Sequence, residues 1–329
     1  MIFLLLPAQN MAKSELAGMK KIFTYFVDFH KTYFQAKLYL LALLFIALLV
    51  TFNYLLDFED HYIDTLPKNL RVFCYFLYNC VAYYGILLII WVFGKEKLKL
   101  TRNFWIKSLL GFLILGIDNS YVSWYGVIRE IAPAATVTFY NKLVVNSVGL
   151  LTMFFPLLIV KQIFDRGDHQ GLYGLTFSKV DWKPYWIMLL VMVPLIYAAT
   201  YLPDFLDYYP TYKRTGGDRF AEYYNISENW AITWYEAFYI GDFLFTELFF
   251  RGFLIIGMAK LLGKNAVLPM VAAYCMLHFG KPLGEAISSI FGGYILGIIA
   301  LYSRNIWGGV FVHGGIAGLM ELFAFWRMN

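Results

Sequence analysis

Three ionisable residues, Glu247, His278 and His313, lie within strongly apolar stretches of the sequence. An ionisable side chain in hydrocarbon costs at least ~2.5 kcal/mol, so residues of this kind usually serve a function. Two imidazoles and a carboxylate can bind Zn²⁺ as a His₂Glu set with an open water position. They can instead hold a water directly, with the glutamate as general base and the histidines stabilising the oxyanion. Both chemistries predict hydrolysis, and the sequence leaves the choice between them open.

Arg251 follows Glu247 by four residues, so the two side chains share one face of a helix. Taken alone, such a pair more often neutralises itself and holds neighbouring helices together. The alternative is that Arg251 positions a working carboxylate, and the two histidines favour this alternative. Lys281 and Glu285 form a second pair at the same spacing, next to His278. We expect that pair to be a satisfied ion pair at a helix junction.

The depth of each residue in the bilayer follows from the rise of about 1.5 Å per helical residue. Measured from the nearest basic residue at the predicted inner boundary, Glu247 and His278 lie ~20 Å and ~21 Å deep, and His313 lies ~14 Å deep. Three different helices therefore bring a carboxylate and two imidazoles to a similar depth. The prediction requires that these helices pack together.

The composition of the 329-residue chain defines the class of protein. Apolar residues make up 60% of the chain and charged residues only 15%, and the mean hydropathy is +0.59. One globular core cannot hide this apolar excess, which excludes a soluble enzyme and a disordered chain. The net charge of +5 comes from short scattered clusters, so we expect a lipid bilayer and no nucleic acid as partner. The predicted fold is all-α, a polytopic transmembrane helix bundle of about eight or nine spans.

About 20 apolar residues cross a bilayer as a helix. The stretches that qualify, or nearly qualify, are 36–56, 70–93, 104–128, 137–160, 184–202, 232–259, 265–280, 286–303 and 306–326. They divide the chain into four parts: a cytoplasmic N-terminal segment at 1–35, a four-span membrane region at 36–163, a cytoplasmic linker at 164–183 and a C-terminal membrane core at 184–329.

The distribution of Lys and Arg predicts the orientation of these spans. With the N-terminus in the cytoplasm, the inner segments hold more Lys and Arg than the outer ones, and the outer loops are acidic. We therefore expect a cytoplasmic N-terminus. The sequence carries no retention or sorting signal, which favours a prokaryotic inner membrane.

Three motifs in the C-terminal core resemble those of the CPBP family, the CAAX prenyl protease and bacteriocin-processing (Abi) intramembrane proteases. Residues 246–252, Thr-Glu-Leu-Phe-Phe-Arg-Gly, resemble the family motif E-E-x-x-x-R-G. Residues 274–278, Tyr-Cys-Met-Leu-His, resemble F-x-x-x-H, and residues 313–317, His-Gly-Gly-Ile-Ala, resemble H-x-x-x-N. Their order and spacing agree with the family, and the resemblance covers about residues 180–326.

The resemblance implies an intramembrane endopeptidase that acts on a peptide or membrane-protein substrate. By this resemblance, the catalytic residues would be Glu247, Arg251, His278 and His313. Glu247 would activate a water held by His278 and His313. If a metal is used, the glutamate and the two histidines would be its zinc ligands.

Three positions depart from the family pattern. Thr246 stands in place of the first glutamate, Tyr274 in place of the phenylalanine, and Ala317 in place of the asparagine that supports the oxyanion. Glu247 is then the expected base; the alternative is that Glu321, eight residues beyond His313, reaches back to the site. The departures also favour a second hypothesis, a catalytically impaired member of the fold that acts as a membrane binding, immunity or scaffold protein with an unidentified protein partner.

A transporter is a third hypothesis for a chain of this composition. The intramembrane polar residues are confined to the C-terminal half of the chain, and we see no inverted repeat in the sequence. Both observations make a transporter less favoured than a protease or a binding protein.

Overall fold

The computed structural model describes residues 8–95, 97–120, 124–168, 171–176 and 180–328. These residues are nearly all helical and contain no strand. The helices are α1 (Ala8–Tyr33), α2 (Ala36–Leu56), α3 (Lys68–Phe93), α4 (Arg102–Ser120), α5 (Tyr125–Ile131), α6 (Val137–Val145), α7 (Phe155–Phe164), α8 (Lys183–Ala199), α9 (Pro203–Tyr208), α10 (Gly217–Tyr224), α11 (Glu228–Glu247), α12 (Ala259–Leu262), α13 (Val267–Met276), α14 (Leu283–Ser303) and α15 (Trp307–Met328).

Six helical segments of the described residues are long and apolar enough to cross a membrane. They are Ala36–Leu56, Lys68–Phe93, Ala134–Phe164, Glu228–Met276, Leu283–Ser303 and Trp307–Met328. The predicted all-α membrane bundle is therefore confirmed, whereas the expected eight or nine spans are only an approximate count.

The difference in count has three sources. The 49-residue segment Glu228–Met276 contains two predicted spans, which separate at Gly263, a residue with φ +59°. The predicted span at 104–128 is interrupted, since α4 ends at Ser120 after two further polar residues, and residues 121–123 lie outside the described part. The predicted span at 184–202 corresponds to α8, an apolar helix of only 17 residues.

The turn at Gly263 folds the chain into a hairpin. Arg251 precedes Gly263 in the sequence by about as many residues as Tyr274 follows it. The guanidinium carbon of Arg251 lies 3.9 Å from the centroid of the Tyr274 ring. A left-handed backbone conformation of this kind favours glycine, which has no Cβ to clash. The hairpin thereby places the residues after α11 beside α13.

All ten residues of α13 are buried. The helix packs against α3 on one side and α14 on the other. Gly297 permits a close approach of α14, because a Cβ there would lie 2.7 Å from Cε of Met270. α15 packs against α8 and α11. The site helices are thus held from several sides by scaffold helices.

The chain from Leu248 to Gly257 is a π-helix that continues directly from α11. Tyr173 packs against it: a Cβ on Gly252 would lie 2.9 Å from the Tyr173 carbonyl oxygen, and one on Gly257 would lie 2.8 Å from the Tyr173 ring. π-Helical turns are rare and often occur at functional sites. Here the π-helix carries Arg251 of the first motif.

A buried ion pair links α4 to the segment that follows α7. Lys107 Nζ lies 2.5 Å from Asp165 Oδ2 and donates to the carbonyl oxygen of Gly257 at 2.5 Å. The Tyr173 hydroxyl donates to the same Asp165 oxygen at 2.8 Å. The Lys107 side chain is only 2% exposed. This pair joins the N-terminal helices to the end of the π-helix.

We expect Lys107→Met to destabilise the protein strongly, because it leaves the Asp165 carboxylate and the Gly257 carbonyl without their cation. Removing one partner of a buried pair costs about 3–5 kcal/mol. Lys260→Met is the matched control: Lys260 pairs with Asp168 at 3.2 Å, but its side chain is 62% exposed, and such a pair contributes about 1 kcal/mol or less. Unfolding of the purified proteins in detergent micelles measures both effects. Equal effects of the two substitutions would contradict the assigned role of Lys107.

Candidate active site

Glu247, the last residue of α11, accepts a hydrogen bond from His313 on α15. His313 Nδ1 lies 2.9 Å from Glu247 Oε1. A carboxylate only accepts hydrogen bonds, so Nδ1 of His313 carries the proton and Nε2 is an acceptor in the neutral ring. Glu247 is fully buried. The bond therefore fixes both the tautomer and the orientation of His313.

Arg251 compensates the negative charge of Glu247. Its Nη1 lies 2.8 Å from Glu247 Oε1, and both side chains are buried. The guanidinium group also lies over the Tyr274 ring. Glu247 Oε2 has no hydrogen-bond partner among the described residues. One carboxylate oxygen is thus occupied by His313 and Arg251, while the other is available to a further donor.

His278 follows α13 directly and faces His313. Its Nδ1 donates to the carbonyl oxygen of Tyr274 at 2.9 Å, which leaves Nε2 as an acceptor. The rings of His278 and His313 stack with centroids 6.1 Å apart and an interplanar angle of 25°. The structure therefore brings together the four residues that the sequence analysis singled out as catalytic; their catalytic role stays a prediction.

Two small features of α11 and α15 shape the site. A Cβ on Gly309 would lie 2.3 Å from Glu247 Oε2, so only glycine leaves room for the carboxylate at this point of α15. The Phe243 ring lies 4.3 Å from the His313 ring, centroid to centroid, and covers one face of it. Glu247 and His313 therefore have little freedom to move apart.

Glu321 makes its hydrogen bonds elsewhere. The backbone N–H and the hydroxyl of Thr211 both donate to Glu321 Oε1, at 2.8 Å and 2.7 Å. Glu321 thereby ties α15 to the chain between α9 and α10. Thr246 is half-buried beside Glu247. Neither residue has a hydrogen bond to the other site residues among those that the structure describes.

Lys281 and Glu285 form the expected ion pair at the junction of α13 and α14. Lys281 Nζ donates to Glu285 Oε1 at 2.8 Å, and the Tyr209 hydroxyl donates to Glu285 Oε2 at 2.7 Å. Burial lowers the pKa of Lys281, but the facing Glu285 carboxylate raises it more, so the pKa lies above its usual value. The pair therefore supports the helix junction next to His278.

The donor set fits a directly held water better than zinc. The described residues include no group of three or more His, Cys, Asp or Glu side chains arranged to hold a metal ion. Glu247 Oε1 is already engaged by Arg251, and a guanidinium beside the carboxylate repels a further cation. Zinc binding by Glu247, His278 and His313 stays a prediction.

Tyr274 is the polar neighbour whose contact the sequence analysis did not foresee. Its hydroxyl lies 3.2 Å from His313 Nε2 and 3.4 Å from Nδ1. The only signal in the sequence was the replacement of a phenylalanine by tyrosine in the second motif. An added hydroxyl on a buried ring needs a hydrogen-bond partner, and this requirement could have pointed to a histidine nearby.

Residues 228–319 match the family model described as type II CAAX prenyl endopeptidase Rce1-like. This region is similar to that family. The match confirms the family expected from the three motifs and includes Glu247, Arg251, His278 and His313, although it is narrower than the expected range of 180–326. Comparison with curated proteins and with solved structures gave no significant match. The match to this family and the six apolar helices together indicate an integral membrane protein.

We expect Gly309→Ala to impair the site without unfolding the protein, because the added Cβ must displace the Glu247 carboxylate. Gly292→Ala on α14 is the matched control, since a Cβ there meets no described atom within 4 Å. Any activity assigned to the protein should fall at least tenfold in Gly309→Ala and stay unchanged in Gly292→Ala. Thermal unfolding of both variants serves as the check on folding. Full activity of Gly309→Ala would contradict the placement of Glu247 against α15.

Proposed function

We propose that this protein is an intramembrane endopeptidase of the CAAX-protease type, which hydrolyses a peptide bond at or within the bilayer. The observation that carries the proposal is the buried Glu247 carboxylate, which is bonded to His313 and paired with Arg251 inside the region that matches the Rce1-like family model. The same carboxylate is bonded to an imidazole whose ring stacks on a second imidazole, that of His278. This combination supports hydrolysis rather than packing alone.

In the proposed mechanism, Glu247 Oε2 accepts a proton from a water molecule. Arg251 and His313 hold the Glu247 carboxylate in position through Oε1. The acceptor Nε2 of His278 takes a second hydrogen bond from the same water. The hydroxide attacks the carbonyl carbon, and Glu247 then returns the proton to the leaving amine as the C–N bond breaks.

The substrate in this proposal is a peptide or a membrane protein whose scissile bond enters the bilayer. We further propose that the N-terminus faces the cytoplasm, because Lys and Arg are concentrated in the segments that this orientation places inside. A prokaryotic inner membrane is the proposed location. Fusion of a cytoplasm-dependent and a periplasm-dependent reporter to the N-terminus distinguishes the two orientations.

We expect Glu247→Gln to lower peptide cleavage by about 10²- to 10⁴-fold, the range that general bases contribute. His278→Ala and His313→Ala should also abolish most activity, because the first removes an acceptor for the water and the second removes the N–H that positions Glu247. Cleavage is measured by mass spectrometry with purified protein in liposomes, using a farnesylated CAAX peptide and a mixed peptide library as probes. Glu222→Gln and His61→Ala change exposed residues of the same types outside the site and should leave the rate unchanged.

A second candidate function is a catalytically impaired member of the fold that binds a partner protein in the membrane. Thr246 and Ala317 favour it, because each stands where the family pattern has a polar catalytic group. This candidate predicts that Glu247→Gln and the wild-type protein behave alike in every cleavage assay. If the wild-type protein cleaves a peptide and the folded Glu247→Gln variant does not, this second candidate is excluded.

A further inference from the structure

The proposed hydrolysis needs a donor for the carbonyl oxygen of the substrate, and neither histidine offers one in its neutral form. The Nδ1–H of His278 is bonded to the Tyr274 carbonyl, and the Nδ1–H of His313 is bonded to Glu247. Both Nε2 atoms are acceptors. Ala317, one turn beyond His313 on α15, presents only a methyl group. The oxyanion that forms during attack would therefore lack a hydrogen bond from any of these residues.

The Tyr274 hydroxyl lies at the place where this donor is missing. It is 3.2 Å from His313 Nε2, and because Nε2 is an acceptor, the hydroxyl donates to it. The Tyr274 ring also lies 4.6 Å from the His278 ring, centroid to centroid. The hydroxyl thus contacts the His313 imidazole, and the ring that carries it contacts the His278 imidazole.

The surroundings of Tyr274 hold the ring firmly. The Arg251 guanidinium covers one face at 3.9 Å, and the Phe250 ring packs edge-on with centroids 5.2 Å apart. α14 approaches closely through Gly293, where a Cβ would lie 2.9 Å from Tyr274 Cδ1. A preorganised donor of this kind stabilises a developing oxyanion.

We propose that Tyr274 is a catalytic residue whose hydroxyl donates a hydrogen bond to the oxyanion and replaces the polar side chain that is absent at Ala317. The proposal rests on the proposed function. In the resting state the hydroxyl donates to His313 Nε2; during attack it turns to the carbonyl oxygen of the scissile peptide. The proton of the water passes to Glu247 and then to the leaving amine, while Tyr274 keeps its own proton throughout.

The first test is Tyr274→Phe, which keeps the ring and its contact with Arg251 but removes the hydroxyl. We expect kcat for the liposome cleavage assay to fall by about 10²- to 10³-fold, as for other oxyanion donors, with KM nearly unchanged. Tyr84→Phe is the matched control. It removes a hydroxyl bonded to Ser108 at 2.7 Å between α3 and α4, and it should leave kcat unchanged.

The second test asks whether the donor can be supplied from the neighbouring helix. We expect Ala317→Asn in the Tyr274→Phe background to recover at least tenfold in kcat, because the asparagine amide offers an N–H one turn from His313. A merely structural role of the hydroxyl would not be rescued from α15. A peptide phosphinate, which imitates the tetrahedral intermediate, should lose affinity in Tyr274→Phe by a larger factor than KM changes.

The results separate this inference from the proposed function. If Glu247→Gln is inactive while Tyr274→Phe keeps kcat within twofold of the wild type, the role of Tyr274 is overturned and the protease function stands. A loss in Tyr274→Phe that appears in KM, or that parallels a lower unfolding midpoint, also overturns it. If Glu247→Gln is fully active, the proposed function fails, and the inference fails with it.

Discussion

The buried charge of Glu247 is the constraint on which the rest of the site depends. A carboxylate without a partner in the interior of a membrane bundle would cost several kcal/mol. Arg251 supplies the opposite charge from the π-helix, and His313 supplies an N–H from α15. Because both partners are required, α11, the π-helix and α15 have one acceptable arrangement. Gly309 makes that arrangement sterically possible.

The same compensation determines what the site can do. Arg251 and His313 both engage one oxygen of Glu247, so the carboxylate is stabilised as an anion but keeps one acceptor free. The two imidazoles donate through Nδ1 to Glu247 and to the Tyr274 carbonyl, which turns both Nε2 atoms into acceptors. The unpartnered oxygen of Glu247 and the Nε2 atom of His278 are the two acceptors proposed to hold and deprotonate water. The site needs a separate donor for the oxyanion, and Tyr274 is the side chain in position to be that donor.

Much of the remaining structure serves to hold three helices at one point. The hairpin at Gly263 brings α13 beside the π-helix, and α3 and α14 enclose α13. Lys107 anchors the end of the π-helix to α4 through the Gly257 carbonyl and Asp165. Glu321 ties the far end of α15 to Thr211. These contacts lie outside the motifs. Without them the site residues could lie at similar depths in the bilayer and still not meet.

The sequence alone was sufficient to predict an all-α membrane bundle, because a long apolar run can satisfy its backbone in lipid only as a helix. It also predicted the family, since Glu247, Arg251, His278 and His313 keep the order and spacing of three motifs. The number of spans was less predictable: hydropathy does not show whether a segment such as 104–128 ends at its polar residues or where a turn such as Gly263 reverses the chain.

Only the tertiary structure decided which atoms meet. Helical spacing placed Arg251 near Glu247, but the approach of His313 and of the Tyr274 hydroxyl depends on how separate helices pack, and no local pattern encodes that. Lys107 and Asp165 are 58 residues apart, and no pattern in the sequence pairs them. The sequence shows which side-chain types are present and therefore which chemistry they can do. Hydrogen bonds between distant helices, in contrast, arise from packing that involves the whole bundle.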